Sequence, residues 1–90
     1  MKTFTFHCDP GHGWLEVSQL DLDDLLLSYI DFSGFSYTDG KNLYLEEDCD
    51  AGVFLEAYAA KHGKESFRFQ ELHTNHDSRI RSMHYNPVGV

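Results

Sequence analysis

Ala51, Phe54, Leu55, Tyr58 and Ala59 fall at i, i+3, i+4, i+7 and i+8. Only an α-helix gathers that spacing into one apolar stripe. Lys61 and His62 follow in what would be the last turn, where the negative end of the helix favours cations, and Gly63 is the expected stop. Upstream, Asp48 is placed as the N-cap and Asp50 in the first turn. Gly52, inside the helix, costs roughly 1 kcal/mol relative to Ala and reads as a close-packing site.

A helix with one apolar face needs a surface to cover, and the flanking segments read as strands. Thr3 to Cys8 alternates, with Phe4, Phe6 and Cys8 on one side and Thr5 and His7 on the other. Asp9-Pro10-Gly11-His12-Gly13 is a turn, and Trp14 to Val17 resumes an extended run, so the two runs form a hairpin. Phe35–Thr38 and Asn42–Leu45 flank Asp39-Gly40-Lys41 as a second hairpin. Between them Ser18 caps a helix-compatible stripe of Leu20, Leu22, Leu25, Leu26 and Ile30, which Gly34 ends. Ser66–His73 alternates again. After Thr74 the pattern is lost, and the stretch to Val90 reads as a loop grading into a loose tail. The order ββαββαβ predicts one α+β domain over residues 1–90, with a mostly antiparallel sheet, two helices on one face and a loosely ordered tail from about residue 74.

The 90 residues suffice for one modest core, and 41% apolar residues place the chain above the disordered range. No apolar run reaches the length of a membrane span, and the alternating N-terminus is unlike a signal peptide. Two cysteines make no disulfide framework. Free thiols in a reducing cytosol are the expectation.

Charge is unevenly distributed. Glu16 to Asp50 carries ten carboxylates against Lys41 alone, a formal −9, while the whole chain is −8. The last thirty residues are slightly basic, with Lys61, Lys64, Arg68, Arg79 and Arg81 against Glu65, Glu71 and Asp77. That balance repels nucleic acid and anionic membrane and attracts basic proteins or cations. The expected contact surface comprises Asp21, Asp23, Asp24, Glu46 and Glu47, with Trp14 as an aromatic anchor. The competing reading of the same residues is a solvated face plus helix caps. Arg79 and Arg81 either pair with the acidic face or present a basic edge.

Six histidines and two cysteines raise the question of metal or thiol chemistry. Cys8, His12, His73 and His76 would suit tetrahedral zinc if the first and last strands were neighbours. Their spacing lacks the tight pairs of strong zinc motifs, and Cys8 lies on the Phe4/Phe6 face as an ordinary core thiol would. Cys49 near a helix start gains acidity from the dipole and loses it to Glu46, Glu47, Asp48 and Asp50. No catalytic residue, metal or other cofactor is therefore expected, and the chain reads as a non-enzyme.

Gly11-His12-Gly13-Trp14-Leu15, Tyr37 and Gly40 with Tyr44-Leu45-Glu46-Glu47-Asp48-Cys49-Asp50-Ala51, and His73-Thr74-Asn75 with Arg79-Ile80-Arg81 resemble a family of small proteins of phages, plasmids and other mobile elements. The likeness runs from about Phe4 to Tyr85. It implies no catalytic role. It implies a small acidic protein in the host cytosol that binds and redirects a host protein, including components of defence systems, and the charge balance adds that the partner's surface is basic. The alternatives are a small metal- or thiol-dependent enzyme built on Cys8, His12, Cys49, His73 and His76, a DNA-mimic inhibitor of a nucleic-acid-binding protein, and a homo-oligomer that buries its aromatics.

Overall fold

A computed structural model describes residues 1–87. The chain is an α+β domain built on a six-stranded mixed sheet. Its elements are β1 (Lys2–Cys8), β2 (Gly13–Ser18), α1 (Gln19–Asp24), β3 (Tyr37–Thr38), β4 (Asn42–Glu46), α2 (Ala51–His62), β5 (Phe67–His73) and β6 (His84–Tyr85). Short 3-10 turns lie at Tyr29–Asp31 and Arg79–Ser82. The strand order is β5-β1-β2-β4-β3-β6.

Both predicted hairpins form, β1 with β2 and β3 with β4. β2 then pairs antiparallel with β4 and β3 with β6, while β5 lies parallel to β1. A parallel neighbour requires a crossover, and α2 is that crossover. In the first hairpin a Cβ on Gly13 would collide with the Phe6 ring. Only glycine lets the backbone approach that closely.

The period-2 alternation sends side chains to two different environments. Phe4, Leu15, Val17, Leu43 and Leu45 face the helical side and pack with Leu22 of α1 and with Ala51 and Phe54 of α2. Phe4 meets Phe54 and Tyr58 edge-on, with ring centroids 5.4 and 5.2 Å apart. Fully burying each such ring contributes roughly 1.5–3 kcal/mol. The opposite side carries a smaller cluster of Trp14, Tyr44 and Ile80, with Tyr37 and Met83 against it.

Four expectations are corrected. The first helix does not run to Gly34; α1 has six residues, and Leu20, Leu26 and Ile30 are exposed. Its start is as expected: Ser18 accepts from Asp21 N, and the Asp21 side chain accepts from Ser18 N. It ends in a Schellman turn, in which Leu27 N bonds Leu22 O, Leu26 N bonds Asp23 O, and Leu26 takes φ 57°. Leu22 is buried in the core, and Leu27 packs against the same cluster.

The other three concern α2 and the C-terminal segment. Asp48 is not the cap of α2. Asp50 occupies that position and turns its carboxylate to Ser33 and Ser36 instead. Nothing lies within 4 Å of a Cβ built on Gly52, so it is no packing site. The segment after Thr74 is built into the fold up to Pro87, with buried Ile80 and Asn86; residues 88–90 lie outside the described residues. The Asn86 side-chain amide donates to the carbonyls of Tyr29 and Ser33, fixing this segment over the 3-10 turn.

Candidate functional site

The register of β2 against β4 sets Trp14 opposite Glu46, and so brings the Gly11–Leu15 and Tyr44–Ala51 segments together. Glu47 strengthens the junction. Its backbone N donates to Gly13 O, and its Oε1 accepts from Gly13 N at 3.1 Å. Beside this junction lies a pocket of about 410 Å³ lined by His12, Trp14, Phe35, Tyr37, Glu46, Asp48, Cys49, Arg81 and Tyr85. It opens on the side of the sheet away from α2.

The loop before β2 is held by Asp9. Its Oδ1 accepts from Gly11 N and His12 N, each at 2.9 Å, and Oδ2 accepts from Ser78 N at 3.0 Å. Arg81 donates to both oxygens through Nε and Nη2. The Asp9 side chain is completely covered. The Arg81 guanidinium, and after it the backbone donors, hold its carboxyl far below the ordinary carboxylate range. So anchored, Arg81 sits 5.3 Å from the centre of the Trp14 ring, a cation–π contact. Tyr37 and Tyr85 stack at 4.7 Å. Hydrogen bonding with Tyr85, then burial, raises the Tyr37 phenol.

Glu46 is the buried acid of the pocket, 7% exposed. Its Oε2 accepts from Asp48 N and Cys49 N, both at 2.9 Å, while Oε1 faces His12 Nδ1 at 3.4 Å. Ser36 joins this acid to the next. Its hydroxyl accepts from Glu46 N at 3.0 Å and donates to the Asp50 carboxylate. Hydrogen bonding to Glu46, then burial and the charges of Glu46, Asp50 and Asp48, pushes the Cys49 thiol up. Cys8 is also raised, by burial first and then by Glu71, Glu47 and Asp9. Neither cysteine is a ready thiolate.

The residues expected to form one acidic surface divide between the two ends of β2. Glu46, Glu47 and Trp14 lie at the pocket end; Asp21, Asp23 and Asp24 lie on α1, past the end marked by Ser18 opposite Asn42. Trp14 itself is 2% exposed, so it forms the floor of the pocket and not a projecting anchor. On α1, Asp21 pairs with Lys2 at 3.0 Å, Asp23 accepts from Gln19, and Asp24 accepts from Lys61 and His62.

The four candidate zinc ligands also separate. Cys8 lies opposite His73 across β1 and β5 and groups with Glu71 and His73. His12 groups instead with Glu46 and Asp48. His76 belongs to neither group and bonds Thr74.

Of the other lining residues, Phe35 and Tyr37 belong to the aromatic run Tyr29, Phe32, Phe35 and Tyr37, which the sequence offers either as core or as binding surface, and Arg81 is legible only as a candidate for an ion pair. Tyr85 gives no signal, because it sits where the pattern fails. No protein-family model, no curated protein and no solved structure matches the chain. Among the described residues no helix is long and apolar enough to cross a membrane.

Proposed function

We propose that this chain is a non-enzymatic, acidic binding protein of a mobile element that docks on a basic surface of a host or defence protein. The pocket is its contact site. The observation that carries the reading is the pocket's composition: Phe35 and Tyr85, 66% and 63% exposed, stand over a floor of Trp14 and Tyr37 beside the carboxylates of Glu46 and Asp48. Exposed aromatic side chains around a concave, partly apolar site are what binding hot spots are made of. Adjacent carboxylates select a cationic side chain of the partner.

The acids of α1 do not share this role, because Lys2, Lys61 and His62 already engage Asp21 and Asp24. The same division weighs against a DNA mimic, which needs carboxylates spread over one continuous surface. The raised Cys49 thiol weighs against a thiol-dependent enzyme.

The test captures the partner from host lysate with the wild-type chain and then measures its affinity for variants. Phe35→Ala and Tyr85→Ala should each weaken binding about tenfold or more, the effect of losing roughly 1.4 kcal/mol or more at a hot spot. Asp23→Lys should leave it unchanged. Loss in Asp23→Lys with no change in the two aromatic variants would move the contact to α1.

A further inference from the structure

The two edges of the sheet are unlike. β6, at one edge, is two residues long. β5, at the other, runs for seven residues, and every one after Phe67 is exposed. Shortness, prolines, lysines and bulges are the usual guards of a sheet edge against further pairing. β5 has none of them. No proline or lysine lies within it, and its register with β1 is unbroken from Lys2 opposite Phe67 to Cys8 opposite His73.

The direction of its free backbone groups follows from the ends of that ladder. Lys2 N donates to Ser66 O, and Thr74 N donates to Cys8 O. Backbone groups of successive strand residues turn alternately to the two neighbouring sides. Arg68, Gln70 and Leu72 therefore serve β1, as Ser66 and Thr74 do. The N–H and C=O groups of Phe67, Phe69, Glu71 and His73 point to the open edge, where no second strand lies among the described residues. Apolar side chains accompany them on both faces. Phe69 is 45% and Leu72 47% exposed. The Phe69 ring ends an aromatic row, 5.7 Å from Phe67 and 6.2 Å from Phe6.

Charge selects the occupant. The chain carries −8, yet β5 holds only Arg68 and Glu71 and is formally neutral. A basic partner is drawn to other surfaces, whereas two acidic copies of this chain can meet here without like-charge contact. The strand is also complementary to itself. Antiparallel pairing about a two-fold axis at Gln70 pairs all seven residues. It sets Phe67 opposite His73 and Phe69 opposite Glu71, the residues whose backbone groups are free, and Arg68 opposite Leu72. No charge faces its like. An axis at Arg68 or at Glu71 would set identical charges face to face, which is destabilising. One at Phe69 would leave Leu72 and His73 beyond the end of the opposing strand.

We propose that β5 pairs antiparallel with β5 of a second copy about an axis at Gln70, joining two sheets into one. An isologous contact of this kind uses up both long edges. Only the two-residue β6 edges remain, so assembly stops at a dimer. The contact does not depend on the reading of the pocket, whose β3 and β6 walls lie toward the other edge of the sheet and stay open in the dimer.

The test is sedimentation velocity of the full chain from about 1 to 300 μM, a range suited to a small interface. The chain should pass from monomer to dimer within it. Amide exchange followed by NMR should slow with concentration at Phe69 and Glu71 far more than at Gln70, whose N–H already faces β1. Leu72 is exposed, so both of its charged variants should fold. Leu72→Lys meets Arg68 of the second copy twice, once on each side of the axis, and should raise the dimer Kd about threefold or more. Leu72→Glu meets the same arginines with opposite charge and should not raise it. A monomer throughout the range, a species larger than a dimer, or equal dimerisation by the two Leu72 variants would overturn the proposal.

Discussion

Both ends of β2 carry clustered carboxylates, and they use them differently. At the α1 end, Asp21 closes a cap and meets Lys2, and Asp24 meets Lys61 and His62. These are surface pairings, each of small effect. At the other end, Asp9, Glu46 and Asp50 are wholly or nearly covered and hold backbone N–H groups, serine hydroxyls and a guanidinium. Net charge therefore says little about which acids matter. An acid's worth to the fold follows from how many donors depend on it away from water.

The largest expected effect tests the support common to both ends. Phe54→Ala empties the centre of the core that α2 shares with β1, β2 and β4, and should cost about 3–5 kcal/mol. A chemical-denaturation curve unchanged from wild type would mean that the two ends are stabilised independently of α2. The next variant separates them. Asp50→Ala strands Ser33 N, Ser33 Oγ and Ser36 Oγ. Unmet buried donors of this kind put the loss at roughly 2–3 kcal/mol. Hydrogen exchange should speed at Ser33 and Glu46 while α1 amides stay as they are; uniform acceleration would erase the distinction between the two ends.

Acid titration sharpens it further. The folded-state pKa of Asp9 is depressed, so its contribution is fully present above the unfolded value near 4 and is lost as pH falls below that toward the folded value. Asp39, whose carboxyl accepts from Asn42 N and Lys41 N, acts in the same direction. The urea midpoint should thus hold from about pH 7 to 5 and drop between about 5 and 3. In Arg81→Met the midpoint should be lower at neutral pH and the acid drop shallower. An equal drop in both proteins would remove Asp9 as its source.

The smallest effect belongs to the α1 end and is a gain. Leu26 stands at φ 57°, 93% exposed, where a residue other than glycine is strained by roughly 1 kcal/mol. Leu26→Gly should raise stability by up to about 1 kcal/mol, read as a shift in urea midpoint. A loss would show that the freedom glycine adds to the unfolded chain outweighs the strain it relieves.

The sequence made some of this legible. Alternation with intervening turn residues marked both hairpins, and the 3.6-residue stripe marked α2, because those periods are set by local geometry. The length of α1 was hidden. Leu25-Leu26-Leu27 continues an apparently helical stripe, and the stop depends on Leu26 adopting a conformation that its side chain disfavours. The parallel place of β5 beside β1 was also hidden, since the crossover decides it and no turn residue reports it. Half the pocket could be read from the motif segments around His12, Trp14 and Glu46. Arg81 could be read as an ion-pair candidate but not placed in the pocket, and Tyr85 could not be read, because a 3-10 turn and a two-residue strand leave no periodic trace.

The Asp9–Arg81 clamp joins residues 72 positions apart. A chain made at about 5–20 residues per second leaves roughly 4–14 s between the synthesis of these two residues. For nearly all of that interval the partners that complete the Asp9 carboxylate, Ser78 and Arg81, do not yet exist, and only the N–H groups of its own loop can meet it. A chain cut short before residue 81 would therefore lack Arg81 and Tyr85 of the pocket lining and the guanidinium that lies over Trp14. The pocket is thus among the last features that the growing chain can complete.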